Sequence, residues 1–335
     1  MIRLAWRQFR GQAAVAAGAL AAVAIVSAAS SVHSRYDSGL RTWLGVLVVV
    51  TPGVLGLFWG APLVAGELEA GTFRLAWTQS VTRTRWLAAR AGLAVLAGMA
   101  VAGALSVIVT WWAAPADRAG RNLFATFDQR DLVPVGYAAF AVALGITAGL
   151  LIRRTLPAMA VTLVAFVAAR AAGTGWLRPV LAAPSHLVLA LNPATTGYGS
   201  SVSGLGIFAV VVGAGPKSTL QPAPPDLPNA WITSTRIVGR GGRQLTSRVL
   251  RIDCPGQGQP AAGSAGGHSH GHAPAAVQQA LQACVARVGA AYHELVTYQP
   301  AGHYWPIQGL ELAAFLGAAV LLGGLCWWRI RRTEP

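Results

Sequence analysis

GELEAGTFRLAWTQSVTRTRW, residues 66–86, decides how this chain is read. It holds Glu67, Glu69, Arg74, Arg83 and Arg85, yet it lies between two stretches with no ionisable group, residues 42–66 and 91–116. A hydrocarbon core of about 30 Å is crossed by roughly 20 apolar helical residues, so both flanks are long enough to span a bilayer. The charged stretch between them is then a short loop at a membrane face. Leu68 and Leu75, with Phe73 or Trp77, can rest on the membrane surface while Glu67, Glu69 and Arg74 face water. Thr82 is placed to cap a helix that begins near Arg83 and enters the next span. Without a specific pattern such a loop would be ordinary solvated chain.

The same reading extends outward. The 335 residues are 54% hydrophobic and only 11% charged, where a soluble domain carries about a quarter charged. Further apolar runs cover residues 13–32, 132–152, 155–177 (broken by Arg170) and 305–328 (broken by Glu311). Six runs predict an all-α polytopic membrane protein. The net charge of +15 would suggest nucleic acid in a soluble chain. Here its distribution indicates topology instead. With the N-terminus inside, residues 1–11, 67–90, 153–155 and 329–335 total 45 residues and carry 12 arginines. The 152 residues on the other side carry 12 arginines plus Lys217. The positive-inside bias puts both termini in the cytoplasm, and no nucleic-acid partner is expected.

Residues 1–12 place Ile2, Trp6 and Phe9 at helical spacing beside Arg3, Arg7 and Arg10, the pattern of an interfacial helix against anionic lipid. A basic start followed by an alanine-rich run also fits a secretory signal; the length of the run and the five that follow favour a retained span. Gly145 and Gly149 allow close helix approach, a dimer seam being one reading. Arg170 and Glu311 stand alone as charges clearly inside runs, both in the outer half. Charge at that depth is costly and is normally paired or wet. The two are expected to pair or to line the outer exit of a transport path, against the alternative that Arg170 snorkels to the headgroups.

Glu67-x-Glu69-x-Gly71-Thr72, then Leu75, then Val81-Thr82-Arg83 resembles the cytoplasmic loop of ABC type-2 exporter permeases. In that family an acidic pair, Gly-Thr, a leucine and a Val/Ile-Ser/Thr-Arg ending lie between the second and third spans. Ser80 departs from the pattern, because many members carry proline there. The resemblance implies that residues 67–86 couple to a separate ABC ATPase subunit. ATP and Mg would be bound by that subunit, and no cofactor by this chain. It further implies a homodimer or paired permease in a bacterial plasma membrane, exporting a hydrophobic or amphipathic compound such as a drug or lipid. An exposed acidic pair beside arginines suits a salt-sensitive protein contact.

Residues 177–304 have room for a small α+β extracytoplasmic domain between the fifth and sixth spans, dividing the chain into 1–176, 177–304 and 305–335. Residues 232–238 and 244–252 read as a hairpin around a glycine loop, 207–212 as a buried strand or an interfacial turn, and 274–295 as a helix. Cys254 and Cys284 share an oxidising compartment, where a bridge is expected; Cys326 reads as a packing residue. Gly213-Ala214-Gly215-Pro216-Lys217-Ser218-Thr219 lacks the spacing of a phosphate loop. His268, His270 and His272 are weak metal candidates, since no carboxylate or thiol stands at ligand spacing. No acid–base or nucleophile constellation points to catalysis. The rival reading is a membrane-anchored sensor whose outer domain binds a ligand.

Overall fold

A computed structural model describes residues 2–32, 38–69, 83–118, 123–190, 209–212, 219–222, 225, 227–245, 283 and 286–332. These fall into two compact units. One comprises Met1–Ala183 with Gly302–Pro335, the other Pro184–Ala301.

The first unit is helical. Its elements are α1 (Ile2–Val32), α2 (Ser38–Leu55), a π-helical turn Gly56–Gly60, α3 (Ala61–Glu69), α4 (Arg83–Arg118), a 3-10 helix Leu123–Gln129, α5 (Val133–Ile152) and α6 (Thr155–Ala172). A second π turn Gly173–Leu177, the short α7 (Arg178–Leu181) and α8 (Tyr304–Arg332) complete it. Among the described residues five segments are long and apolar enough to cross a membrane: Thr42–Glu69, Leu87–Ala114, Leu123–Ile152, Thr155–Leu181 and Ala301–Arg332. The sixth expected run lies in α1, whose apolar stretch Ala14–Ala29 is shorter. Nor is there a separate interfacial helix before it. Ile2–Val32 is one unbroken helix, because nothing between the basic start and the alanine-rich run breaks helical geometry.

Helix α5 is the centre of this unit. Two thirds of its most apolar window is buried, against 22% for Thr155–Leu181 and 17% for Ala301–Arg332. Its small residues Ala138, Ala141, Gly145, Ala148 and Gly149 let neighbours approach from several sides. The glycine pair is used within the chain. A Cβ at Gly149 would lie 2.6 Å from the Ala61 carbonyl oxygen, one at Gly60 2.6 Å from that of Val142, and one at Gly145 would strike the Gly56 carbonyl. The seam anticipated between two copies is therefore occupied by the π turn and the start of α3, at backbone-to-backbone range. Chain reversal after α5 uses Arg153 in the left-handed region (φ 59°), its N–H donating to the Gly149 carbonyl at 3.0 Å.

The second unit carries an antiparallel sheet of order β1–β5–β4: β1 (Ser185–Ala190), β4 (Trp231–Gly239) and β5 (Tyr292–Gln299). A separate antiparallel pair joins β2 (Ala209–Val212) to β3 (Thr219–Pro222). The glycine turn after β4 is present, with Gly241 and Gly242 at positive φ and a single bridge from Val238 to Gln244. β4 pairs with β5, the register running from Trp231 opposite Gln299 to Gly239 opposite Tyr292, while residues 246–252 of the strand expected after the turn lie outside the described residues. The helix expected over 274–295 ends early, for Tyr292–Leu295 belongs to β5. Tyr292, Val296, Thr297 and Tyr298 are aromatic or β-branched residues that favour a strand paired on both edges.

Candidate functional site: a buried ionic clasp and the root of the charged loop

The helical unit concentrates polar chemistry at its two opposite ends. One end is formed by the 3-10 helix, the start of α5, the end of α6 with α7, and the start of α8. Here Glu311 is fully buried, at 0% exposure. It is held by Arg178, whose Nε lies 3.0 Å from Oε2 and whose Nη2 lies 3.1 Å from Oε1. The Tyr137 hydroxyl donates to the same Oε1. Arg178 Nη2 also reaches Asp128 Oδ1, and Asp128 Oδ2 faces Arg170 Nη2 at 3.7 Å. Two guanidiniums thus meet two carboxylates in a neutral set. Aromatic faces complete it. The Arg170 guanidinium lies 4.6 Å from the Tyr137 ring centroid, and that of Arg178 lies 4.3 Å from the Phe127 centroid, both within cation–π range.

A second polar set lies beside the first. Gln308 accepts from the N–H groups of Leu132 (3.2 Å) and Val133 (3.0 Å) and donates to the Phe127 carbonyl at 3.1 Å. Helix N-termini leave such N–H groups without intrahelical partners, so α8 caps α5. The Tyr304 hydroxyl donates to Asp131 Oδ2 and accepts from Arg130 Nε at 3.2 Å. Asp131 sits in the left-handed region (φ 61°) just ahead of α5, and its carbonyl accepts from Ser106 of α4 at 2.9 Å. Together these bonds clasp α4, α5, α6, α7 and α8 at one end.

Arg170 and Glu311, expected to pair directly, are in the same clasp but take different ion partners, Asp128 and Arg178 respectively. Both intermediaries were missed in the sequence. A segment boundary at 177 places Arg178 outside the fifth apolar run, but the π turn Gly173–Leu177 carries helical chain on to Leu181. Asp128 lies between the apolar runs 91–116 and 132–152, among other polar residues. The nearest signal was the aromatic spacing of Phe124 and Phe127, whose stacked rings (centroids 5.9 Å apart) press the 3-10 helix onto Tyr304.

The charged loop roots at the opposite end. Glu67 accepts from Arg90 Nη1, joining the last turn of α3 to α4. Oε2 of Glu69 accepts from the Thr155 backbone N–H at 2.9 Å and from its Oγ1 at 2.7 Å. An acidic residue at the C-terminus of α3 is poorly placed for its own helix dipole but well placed for the N-terminus of α6. The acidic pair, expected to face water, is engaged within the chain by these bonds, with Glu69 remaining exposed. Gly71, Thr72, Arg74, Leu75, Val81 and Thr82 lie outside the described residues, as does the Arg83 side chain. So do Cys254, Cys284, His268, His270 and His272. Among the described residues no group of three His, Cys, Asp or Glu could hold a metal.

Bilayer-length apolar helices, a neutral ionic clasp at one end and a charged loop rooted at the other are the features of a membrane protein. A family model described as ABC-2 membrane transporter related matches residues 2–178, more than half of the chain, and the chain belongs to that family. It is a transporter membrane subunit of the ABC-2 permease type. No curated protein and no solved structure matches it.

Proposed function

We propose that this chain is the permease of an ABC exporter, moving a hydrophobic or amphipathic compound out of a bacterial cell across the plasma membrane. A separate ATPase subunit, holding ATP and Mg, docks within the charged loop on the part beyond Glu69, residues 70–86, and two permease copies assemble. The chain crosses the bilayer six times, α1 supplying the first span, with both termini and the loop root in the cytoplasm. Arg83, Arg85, Arg153, Arg154, Arg329, Arg331 and Arg332 collect at that end, in keeping with the positive-inside bias. The clasp then closes the outer end, where Arg170 and Glu311 line the exit that must open for release.

The observation that carries this reading is the rooting of the loop. Glu67 and Glu69 fasten its entry to α4 and α6, so a push on residues 70–82 is delivered to two spans at once. Tight capture of a partner on that stretch would use Arg74 and Arg83, as charged patches steer association. The test is affinity purification of the permease from its native membrane. A nucleotide-hydrolysing subunit should accompany it and be lost on Arg74→Glu with Arg83→Glu while the permease stays folded; retention of that subunit by the double variant would contradict the docking.

A further inference from the structure

We infer that α6, continued by the second π turn and α7, is a connecting rod between the loop root and the clasp, and that Glu69 is the residue that grips it. At one end Glu69 holds Thr155, the first residue of α6, through both its backbone N–H and its hydroxyl. At the other, Arg170 and Arg178 hold Asp128 and Glu311. Between them the chain stays helical. Gly173 and Arg178, the joints on either side of the π turn, keep right-handed helical angles of φ −59° and −58°. Twenty-three residues of rise from Thr155 to Arg178 amount to about 35 Å, which is the span of the bilayer.

Two features suit this segment to move as a unit. Only 22% of its apolar window is buried, against 67% for the α5 segment, so sliding it disturbs less packing than moving the central helix. Its contacts at both ends are charged and discrete, so they have made and broken states rather than a graded response. Glu69 is on this view a positioning residue: it transmits loop displacement to α6 and is not itself the surface that captures the ATPase. The use of the rod rests on the permease reading; its mechanics do not.

The experiment is hydrogen exchange, followed by mass spectrometry, on the full permease in lipid nanodiscs. Wild type is compared with Glu69→Ala, and with Glu69→Gln, which keeps an acceptor oxygen. Releasing the grip should speed exchange by about tenfold in peptides covering residues 155–160 and also in those covering 170–181, with Glu69→Gln close to wild type. Acceleration confined to residues 155–160 would make Glu69 a local cap and overturn the rod. So would loss of the co-purifying ATPase from Glu69→Ala, which would make the residue a direct contact. Wild-type membranes that yield no ATPase would instead strike the functional reading, leaving the exchange comparison to decide the rod on its own.

Discussion

Arg178 meets Glu311 with two nitrogens on two oxygens, at 3.0 and 3.1 Å, across 133 residues of chain. Fork-to-fork pairing of this kind fixes orientation as well as distance, so it sets how α7 sits against α8. Breaking it by removing one partner leaves a charge with no water to take its place. Glu311→Ala should destabilise the protein by about 3–5 kcal/mol, measured by denaturant titration in mild detergent. Arg178→Met combined with Glu311→Met should recover most of that loss. Additive losses in the double variant would show that the pair is not a unit.

Close backbone packing gives a second expectation. Gly149→Ala would place a methyl 2.6 Å from the Ala61 carbonyl oxygen, and overpacking of that kind costs about 1–3 kcal/mol. Gly323→Ala, with nothing within 4 Å of the new Cβ, should change stability by less than about 0.5 kcal/mol. The same denaturation assay compares them directly.

The unit Pro184–Ala301 should respond to pH through Glu294. This residue of β5 is 5% exposed, its Oε1 has no hydrogen-bond partner among the described residues, and burial raises the pKa of its carboxyl. The folded state therefore holds the proton to higher pH than the unfolded chain does. The stabilisation is complete below the ordinary carboxylate value of about 4.3 and is lost as pH rises through the raised folded value. Limited proteolysis of the full chain should cut the unit faster at pH 7 than at pH 4. Glu294→Gln should slow the cutting at pH 7 and remove most of the dependence.

Thiol counting separates the three cysteines. Cys326 is 4% exposed, with its Sγ 3.3 Å from the Thr147 hydroxyl, so it should resist maleimide in the folded protein and react once denatured. If Cys254 and Cys284 are bridged as the compartment argument expects, denatured, unreduced protein will titrate one thiol. Three would rule the bridge out.

Much of the helical unit was legible because the bilayer imposes a length on every span, and uncharged runs of that length are conspicuous. Family membership was legible from Glu67 to Arg83 for a different reason: an acidic pair, Gly-Thr and a Thr-Arg ending in a fixed order are specific in a way composition is not. The clasp was only half legible. Arg170 and Glu311 stood out as lone charges in apolar runs, whereas Asp128 sat among other polar residues and Arg178 fell just past the end of its run. Only a folded-back 3-10 helix and a π turn, neither marked by hydropathy, bring them into the bundle. The role of Glu69 was hidden similarly, since its partner Thr155 lies 86 residues away. In the second unit β4 showed its β-branched pattern, but the first four residues of β5, Tyr292 to Leu295, fell within the expected helix because the alanine-rich chain before them ran on without a visible stop.

Photo-crosslinking in living cells tests the central claim most directly, with Trp77 replaced by a photo-reactive phenylalanine analogue in the chromosomal copy. A covalent adduct with a nucleotide-hydrolysing protein is expected, formed from the cytoplasmic side. Adducts only with lipid or with an extracytoplasmic protein, at full expression of the permease, would contradict a transporter driven through this loop.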